Sequence, residues 1–439
     1  MHLMYFTERP YPYVEEEEII RNGGSWGLPN RLFNPVKGGQ LYNRYFDEKV
    51  YAEEVGFDGL MLNEHHGTPF CMGASINIEA AILARITKRV KIILLGNPLP
   101  VVANPLKLAE ELAEIDMISG GRLVPGFVRG AGTEQLANNI NPAFNRELFN
   151  EAHDVIIKAW TTPGPFRYEG KHFHYRYINP WALPIQKPHP PIWIPGIVSP
   201  DTLIWCAKHR YPFIALATFL EPTVEMWNLY ADVAAQEGYQ AGSENFGYLQ
   251  QVFVAETEER AQELGQAFLY GGSTFGRAEW MFPPGYNSKA ATQRLARQFT
   301  DPNTGEQAFR FFNSAVGMDV EIAAAKRRIY GEDYKARQKN LQLIVGTPKT
   351  VLPKIRKILE VLRPGVFGFW HHEASPLMTH EDTVKSLRLL GEEVLPAVRE
   401  IGKELGLIDP YQRQPGSRPL APSGVREPVA ESLAAAAAL

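Results

Sequence analysis

Cysteine is scarce: the 439-residue chain has two, Cys71 and Cys206. They are too few and too far apart for a disulfide scaffold or a thiolate metal cluster. Cys206 lies in an apolar helical stretch and reads as a buried structural thiol. No apolar run reaches the roughly 18 residues that a membrane helix needs, so no membrane span is expected. The opening Met1-His2-Leu3-Met4-Tyr5-Phe6 lacks a basic start and a long apolar core, which leaves a cytoplasmic protein as the expectation. Charge of one sign is also missing. With 45 Lys and Arg against 49 Asp and Glu the net charge is −4, giving no footprint for nucleic acid or an anionic membrane surface. No His-Glu-x-x-His or His-x-x-x-His spacing completes a zinc site, so no metal is expected. No Walker loop and no Gly-x-Gly-x-x-Gly after a strand points to a nucleoside triphosphate or a Rossmann-type dinucleotide.

What is present is a rhythm. Short β-branched or aromatic runs alternate with longer amphipathic stretches, as in βα units around a parallel sheet. Strands are expected at 2–6, 59–63, 90–96, 122–128, 192–197, 213–217, 246–255 and 366–370. Helices are expected at 41–55, 76–87, 105–118, 145–160, 199–209, 222–236, 257–270, 348–362 and 380–405, with a hairpin over 166–177. Eight strands and their helices define an α/β fold, a (β/α)8 TIM barrel, with insertions after the first strand and before the eighth. One barrel domain over 1–408 carries the insertion at 271–340, and 409–439 reads as a flexible tail. Residues 7–39, rich in Pro, Gly and Asn, are too long for a plain βα loop and read with 271–340 as lids.

Chemistry in such a fold sits after the C-terminal ends of the strands. The second strand, Gly59-Leu-Met-Leu-Asn63, delivers Glu64-His65-His66 there, and an imidazole at that mouth suits general acid/base work near neutral pH. A hydrogen-bonded structural pair is the plainer reading. Adjacent strand residues point to opposite faces, so the two histidines do not ligate one ion together. At the fourth strand's end Arg129 offers a bidentate guanidinium, with Gly130 and Gly132 letting backbone approach a ligand. An ordinary rim salt bridge would use the same arginine. Gly196-Ile-Val-Ser199-Pro-Asp-Thr202 joins a strand to a helix, so Ser199 and Thr202 are either plain caps or part of an anion site at the helix N-terminus. Arginine and helix N-terminus on one face would together clamp a phosphate.

These residues carry a resemblance. Gly56-Phe-Asp-Gly-Leu-Met-Leu-Asn-Glu64-His-His66, Asn104-Pro105, Ser119-Gly-Gly-Arg122, Arg129-Gly130, Pro191-Ile-Trp-Ile194 with Ser199 and Thr202, and Gly346-Thr-Pro348 occur in the order seen in bacterial luciferase-like flavin monooxygenases. The chain resembles that family over 1–255 and 346–405. The resemblance implies a barrel that binds reduced FMN, activates O2 as a flavin 4a-hydroperoxide and oxygenates a small organic substrate. The apolar content of the two long segments suggests a hydrophobic one. It assigns His65 as the catalytic imidazole, Glu64 to the orientation of its loop, and Arg129, Ser199 and Thr202 to the FMN phosphate. Gly196 opens the phosphate loop and Gly130 lets backbone approach the cofactor. Asn97, at the third strand's end, falls beneath the isoalloxazine, where the family often bends at a cis peptide; Asn97-Pro98 is the matching bond. The resemblance also implies a homodimer, through 41–55 or the second and third helices, and a separate NAD(P)H-dependent flavin reductase. Two positions depart from the light-emitting members: Val128 stands where they have a cysteine beside the flavin, and Val198 where they have an acid beside the phosphate. Light emission is therefore not implied. The rival reading on the same fold is a deazaflavin-dependent oxidoreductase moving hydride without oxygen.

Overall fold

The computed structural model describes residues 1–130, 132–197, 199–216, 218–271, 286, 321–371, 376 and 378–411. Its centre is a nine-stranded sheet whose strand pairs are all parallel. The strands are β1 (His2–Phe6), β2 (Gly59–Leu62), β3 (Lys91–Leu94), β4 (Leu123–Val124), β5 (Ile194–Gly196), β6 (Phe213–Leu216), β7 (Phe246–Val254), β8 (Leu343–Gly346) and β9 (Val366–Trp370). They run in the order β4-β3-β2-β1-β9-β7-β6-β5, with β8 added to β7. The two ends of that path meet at one parallel bridge, Gly126 to Trp193, so the sheet curls back on itself.

One expected strand is corrected and one unexpected strand appears. The stretch 122–128 breaks at Pro125-Gly126, and its second piece, Phe127–Val128, pairs instead with Asn97–Pro98. Proline has no N–H to give a ladder, and a Cβ on Gly126 would lie 1.9 Å from the Leu94 carbonyl oxygen, so the chain turns at a close backbone contact. The unexpected strand is β8. β6 pairs β7 only from Phe246 to Leu249, and β8 takes the edge from Gln251 to Val254. Four apolar residues between a helix and Gly346-Thr-Pro348 are too few to read as a strand.

Strand alternation sorts the two faces. Met4, Phe6, Met61, Ile93, Trp193, Ile214, Leu249 and Trp370 pack together inside the curl. Leu3, Tyr5, Leu60, Ile92, Phe213, Tyr248 and Val252 face outward under the helices. The helices that position the site are α1 (Glu16–Asn22), α2 (Pro35–Glu54), α3 (Ile76–Ile86), α4 (Pro105–Ser119), α5 (Gly132–Ala137), α6 (Asn145–Thr161) and α7 (Pro200–His209). Three of them start alike. Asn34, Asn104 and Ser199 cap α2, α4 and α7, each followed by a proline in the first turn, where no N–H is needed. Arg122 of Ser119-Gly-Gly-Arg122 donates to the carbonyls of Ser119, Ala84, Thr87 and Val90 and so ties α3 and α4 beneath β3. That motif serves the stability face of the sheet, not the chemistry.

The expected hairpin is present, as antiparallel strands Phe166–Glu169 and His174–Ile178. Of the expected tail, Asp409 lies 3.0 Å from His2 Nδ1 and accepts from it when that nitrogen carries the proton, and the Tyr411 ring packs 5.9 Å from Trp193; residues 412–439 lie outside the described residues. Most of the expected insertion, 272–285 and 287–320, lies outside them too. Its described end forms helices Ile322–Arg328 and Tyr334–Lys339 and is tied to α1: Lys326 pairs with Glu16 at 2.8 Å, and Tyr330 donates to the same carboxylate. No described helix is long and apolar enough to cross a membrane.

Candidate active site

His65 follows β2 at the C-terminal end of the sheet. Its Nδ1 lies 2.9 Å from Glu134 Oε1, a buried carboxylate on α5. Its backbone N–H donates to the Gly73 carbonyl, and Trp26 and Phe70 pack edge-on and tilted against the ring at 5.7 and 6.0 Å. Trp26 belongs to the 7–39 segment, which therefore does reach the site. Nε2 makes no hydrogen bond to any described residue, and the side chain is partly exposed. Burial pushes the imidazole pKa down, but the Glu134 bond, the Glu134 charge and the Glu8 charge outweigh it, and the net shift is upward. The Glu134 carboxylate thus favours the charged imidazole, which donates to it from Nδ1.

Glu64 does not touch the His65 ring. Its Oε2 accepts the Ile76 backbone N–H at 3.0 Å, at the start of α3, and its Oε1 lies 3.3 Å from His66 Nε2. Glu64 thus fixes the loop that presents His65. Beneath it is a buried polar layer. Glu8 accepts from Asn63 Nδ2, and Arg9 pairs with Glu79 at 2.9 Å while donating to the carbonyls of Thr7 and Asn63. Gly73 has to be glycine here, since a Cβ would fall 1.9 Å from Arg9 Nη2. Cys71 lies in this layer, where burial pushes its thiol up to about 12; burial raises the Cys206 thiol as well.

The second cluster stands where β4 and β5 end. Ser199 caps α7, its Oγ accepting the Thr202 N–H at 3.4 Å. Arg146, from the first turn of α6, donates to Ser199 Oγ at 3.5 Å and Thr202 Oγ1 at 3.3 Å. Arg129 stands near enough that its charge, after burial, helps depress Arg146 to about 10. Asp201 favours both cations and does not neutralise the pair. Arg146 Nη1 is buried and has no partner among the described residues. Two guanidiniums, two hydroxyls and a helix N-terminus gather here, a donor set that suits an anion.

Asn97 opens the short strand beside Phe127–Val128, and its buried Nδ2 also lacks a partner. Gly130 has φ +75°, and a Cβ there would press to 3.2 Å of Pro98 Cβ, so Gly130 brings the Arg129 loop against Asn97-Pro98. That bond is trans; among the described residues the cis bonds are Gly164-Pro165 and Lys187-Pro188, which corrects the expected bend at 97–98. Gly196 sits opposite Ala215, and a Cβ would meet the Phe213 ring at 2.9 Å, so its small size serves packing at the strand end. Val198 lies outside the described residues. No group of three or more His, Cys, Asp or Glu among the described residues could hold a metal ion.

The sequence reading missed Glu134, Arg146 and Glu8. Arg146 opens a helix with nothing beside it to mark a ligand. Glu134 could have been suspected, as a carboxylate shortly after Arg129-Gly130.

Residues 26–363 match the family model of the luciferase-like monooxygenases, and the chain belongs to that family. It is 24% identical over 371 residues to the oxygenase component of the flavin-dependent trigonelline monooxygenase of Acinetobacter baylyi, covering 82% of this chain and 91% of that one. Other curated relatives, 25–30% identical, are spanned over only 51–64% of their own length. Two solved structures share the fold. One is the oxygenating constituent of 3,6-diketocamphane monooxygenase of Pseudomonas putida in complex with FMN, with TM-score 0.61 and 20% identity over 90% of this chain and 98% of that one. The other is an F420-dependent secondary alcohol dehydrogenase, with TM-score 0.57 and 14% identity over 91% and 99%. At these identities the likeness concerns the fold alone.

Proposed function

We propose that the chain is the oxygenase of a two-component system, taking reduced FMN from a separate NAD(P)H-dependent flavin reductase and using O2 to oxygenate a small organic substrate. The curled sheet is read as a (β/α)8 barrel whose C-terminal mouth is the reaction site. The observation that carries the reading is the paired Arg129 and Arg146 over Ser199 and Thr202, with Arg146 Nη1 buried and unpartnered, on the same face as His65 and Glu134. These residues fit the phosphate of FMN, and the orphaned Asn97 amide fits a polar edge of its ring. Bound reduced flavin would supply the electrons and the site at which O2 is activated. The rest falls to the protein. Arg129, Arg146, Ser199 and Thr202 bind the phosphate, His65 holds a proton on Nε2 at the mouth, Glu134 orients the ring and favours its charged form, and Glu64 holds the loop. Trp26 and Phe70 keep water from the imidazole. Support for a separate reductase comes from the A. baylyi relative, which is named an oxygenase component.

The test is a titration of the apo-protein with FMN and with coenzyme F420, followed by fluorescence, and then oxygen uptake with a flavin reductase and NADH. FMN binding with flavin-dependent oxygen uptake supports the reading. Tight F420 binding without FMN binding would replace it with hydride transfer, a reaction the alcohol dehydrogenase fold also hosts.

A homodimer is part of the proposal. Ile78, Ile82 and Ile86, at i, i+4 and i+8 on α3, are 64%, 38% and 42% exposed, and Ile118 on α4 is 51% exposed. Such a stripe suits a second copy of α3 and α4. Sedimentation velocity should give a dimer for the wild type and a monomer for Ile82→Glu; a monomeric wild type removes the proposal.

A further inference from the structure

The geometry points to Gln251 as a ligand-reading residue for a group that offers a hydrogen-bond donor beside an acceptor, the edge of an amide, lactam or imide. This rests on the mouth being the reaction site, as proposed above. Leu249, two residues earlier on β7, packs inside the curl with Met61, Ile214 and Trp370, whereas Tyr248 and Val252 pack outside it. Gln251 shares the parity of Leu249 and so points inward, one step nearer the C-terminal mouth, at the level of Trp370, its register partner. It is 2% exposed, and its Oε1 has no hydrogen-bond partner; Nε2 makes no hydrogen bond to a described residue either. Its neighbour Gln250, on the outer face, also has a buried Oε1 without a partner, but its Nε2 donates to the Gln342 and Gln251 carbonyls and joins the strands.

A buried amide with no partner is a costly thing to keep in a strand whose inward neighbours are apolar. An apolar side chain of similar size would fill the same space without that cost, so the amide is explained by something that enters and pairs with it. Asn97 is also buried with an unpartnered Nδ2, but it lies beyond the end of β3 and pairs with Phe127, which packs under the helices. It adjoins the Arg129 loop, whereas Gln251 is the amide that points into the curl. A carboxamide presents one donor and one acceptor on the same edge, and its complement is the same pair reversed. That pair is carried by a lactam or amide substrate, and also by the pyrimidine edge of a flavin. A hydrocarbon or terpene offers neither, so this wall departs from the hydrophobic substrate suggested by composition.

The probes are 2-pyridone, a flat cis-lactam, and toluene, a flat ring without hydrogen-bonding groups, each titrated into FMN-loaded protein and followed by flavin absorbance. Lumiflavin, which lacks the phosphate, is titrated into apo-protein. The variants are Gln251→Met, close in size, and Gln251→Glu, which loses the donor, each checked for fold by circular dichroism. Wild type should bind 2-pyridone at least about tenfold more tightly than toluene. If the partner is a substrate, Gln251→Met brings that ratio near one and leaves lumiflavin affinity within about twofold. If the partner is the flavin edge, Gln251→Met lowers lumiflavin affinity at least about tenfold and 2-pyridone competes with lumiflavin. Gln251→Glu should fall between. A folded Gln251→Met that changes neither quantity overturns the assignment. Failure of wild type to bind FMN would instead overturn the proposed function, and the 2-pyridone to toluene ratio, read by thermal shift on flavin-free protein, would still judge Gln251.

Discussion

Arg146→Met should weaken FMN binding by about 100-fold, or about 2.8 kcal/mol, and leave riboflavin binding within about twofold. The magnitude follows from taking one charged partner away from a phosphate held by buried, charge-assisted hydrogen bonds. The selectivity follows from place, since among the described residues the Arg146 side chain hydrogen-bonds Ser199 and Thr202. The free protein should not suffer. Burial and the Arg129 charge both disfavour the Arg146 guanidinium, so its removal relieves a repulsion, and the melting temperature of the apo-variant should match or exceed that of the wild type. Fluorescence titrations with FMN and riboflavin read the first part, and calorimetry the second. Equal losses for both ligands would mean that Arg146 supports the fold and not the phosphate.

Glu134→Gln should lower turnover by about 100-fold, the usual scale for a lost proton-transfer arrangement, and change FMN affinity by no more than about threefold. With the carboxylate gone, the depressing effect of burial on His65 is opposed only by the Glu8 charge, and the limb of the pH–rate profile that reports the imidazolium should move to lower pH. His65→Ala should remove that limb altogether. Stability gives a second readout with a fixed sign. The folded-state pKa of His65 is raised, so its contribution is fully present below the unfolded value of about 6.5 and is lost as pH rises through the folded value. Glu134→Gln should therefore cost more melting temperature at pH 6 than at pH 9. A pH profile unchanged in Glu134→Gln would assign Glu134 a purely structural part.

Much of this was legible in the chain itself. Strand ends could be read because a buried parallel strand is a short apolar run and its loop begins where polar residues resume; β2 ending before Glu64-His65 is the clearest case. Helix starts could be read because Asn104-Pro105 and Ser199-Pro200 carry both a cap and a proline suited to the first turn; Asn34-Pro35 carries the same signal, yet that helix is expected only from 41 and is observed from Pro35. His65, Arg129, Ser199 and Thr202 fall on one face because they follow strands that all run the same way. What stayed hidden depends on tertiary placement. Arg146 reaches Ser199 only because α6 and α7 begin side by side, and nothing in Asn145-Arg146-Glu147 records that. Glu8 joins the layer under His65 only through Asn63, and Gln251 stands inside the curl by strand parity, which has meaning only once the register is known. β8 exists because β7 outruns β6, a matter of relative lengths that no local pattern encodes.

The two thiols bear on durability. An enzyme that handles reduced flavin and oxygen works beside its own oxidant, because uncoupled turnover releases hydrogen peroxide. Peroxide attacks thiolates, and it does so in proportion to how much thiolate is present and how accessible it is. Cys71 lies in the polar layer under His65, close to where peroxide would arise, yet it is buried and its thiol is pushed up to about 12. Cys206, under α7, is buried and raised as well. Both sulfurs therefore remain protonated and shielded through catalysis, and self-inflicted sulfenylation is not the route by which this protein would age.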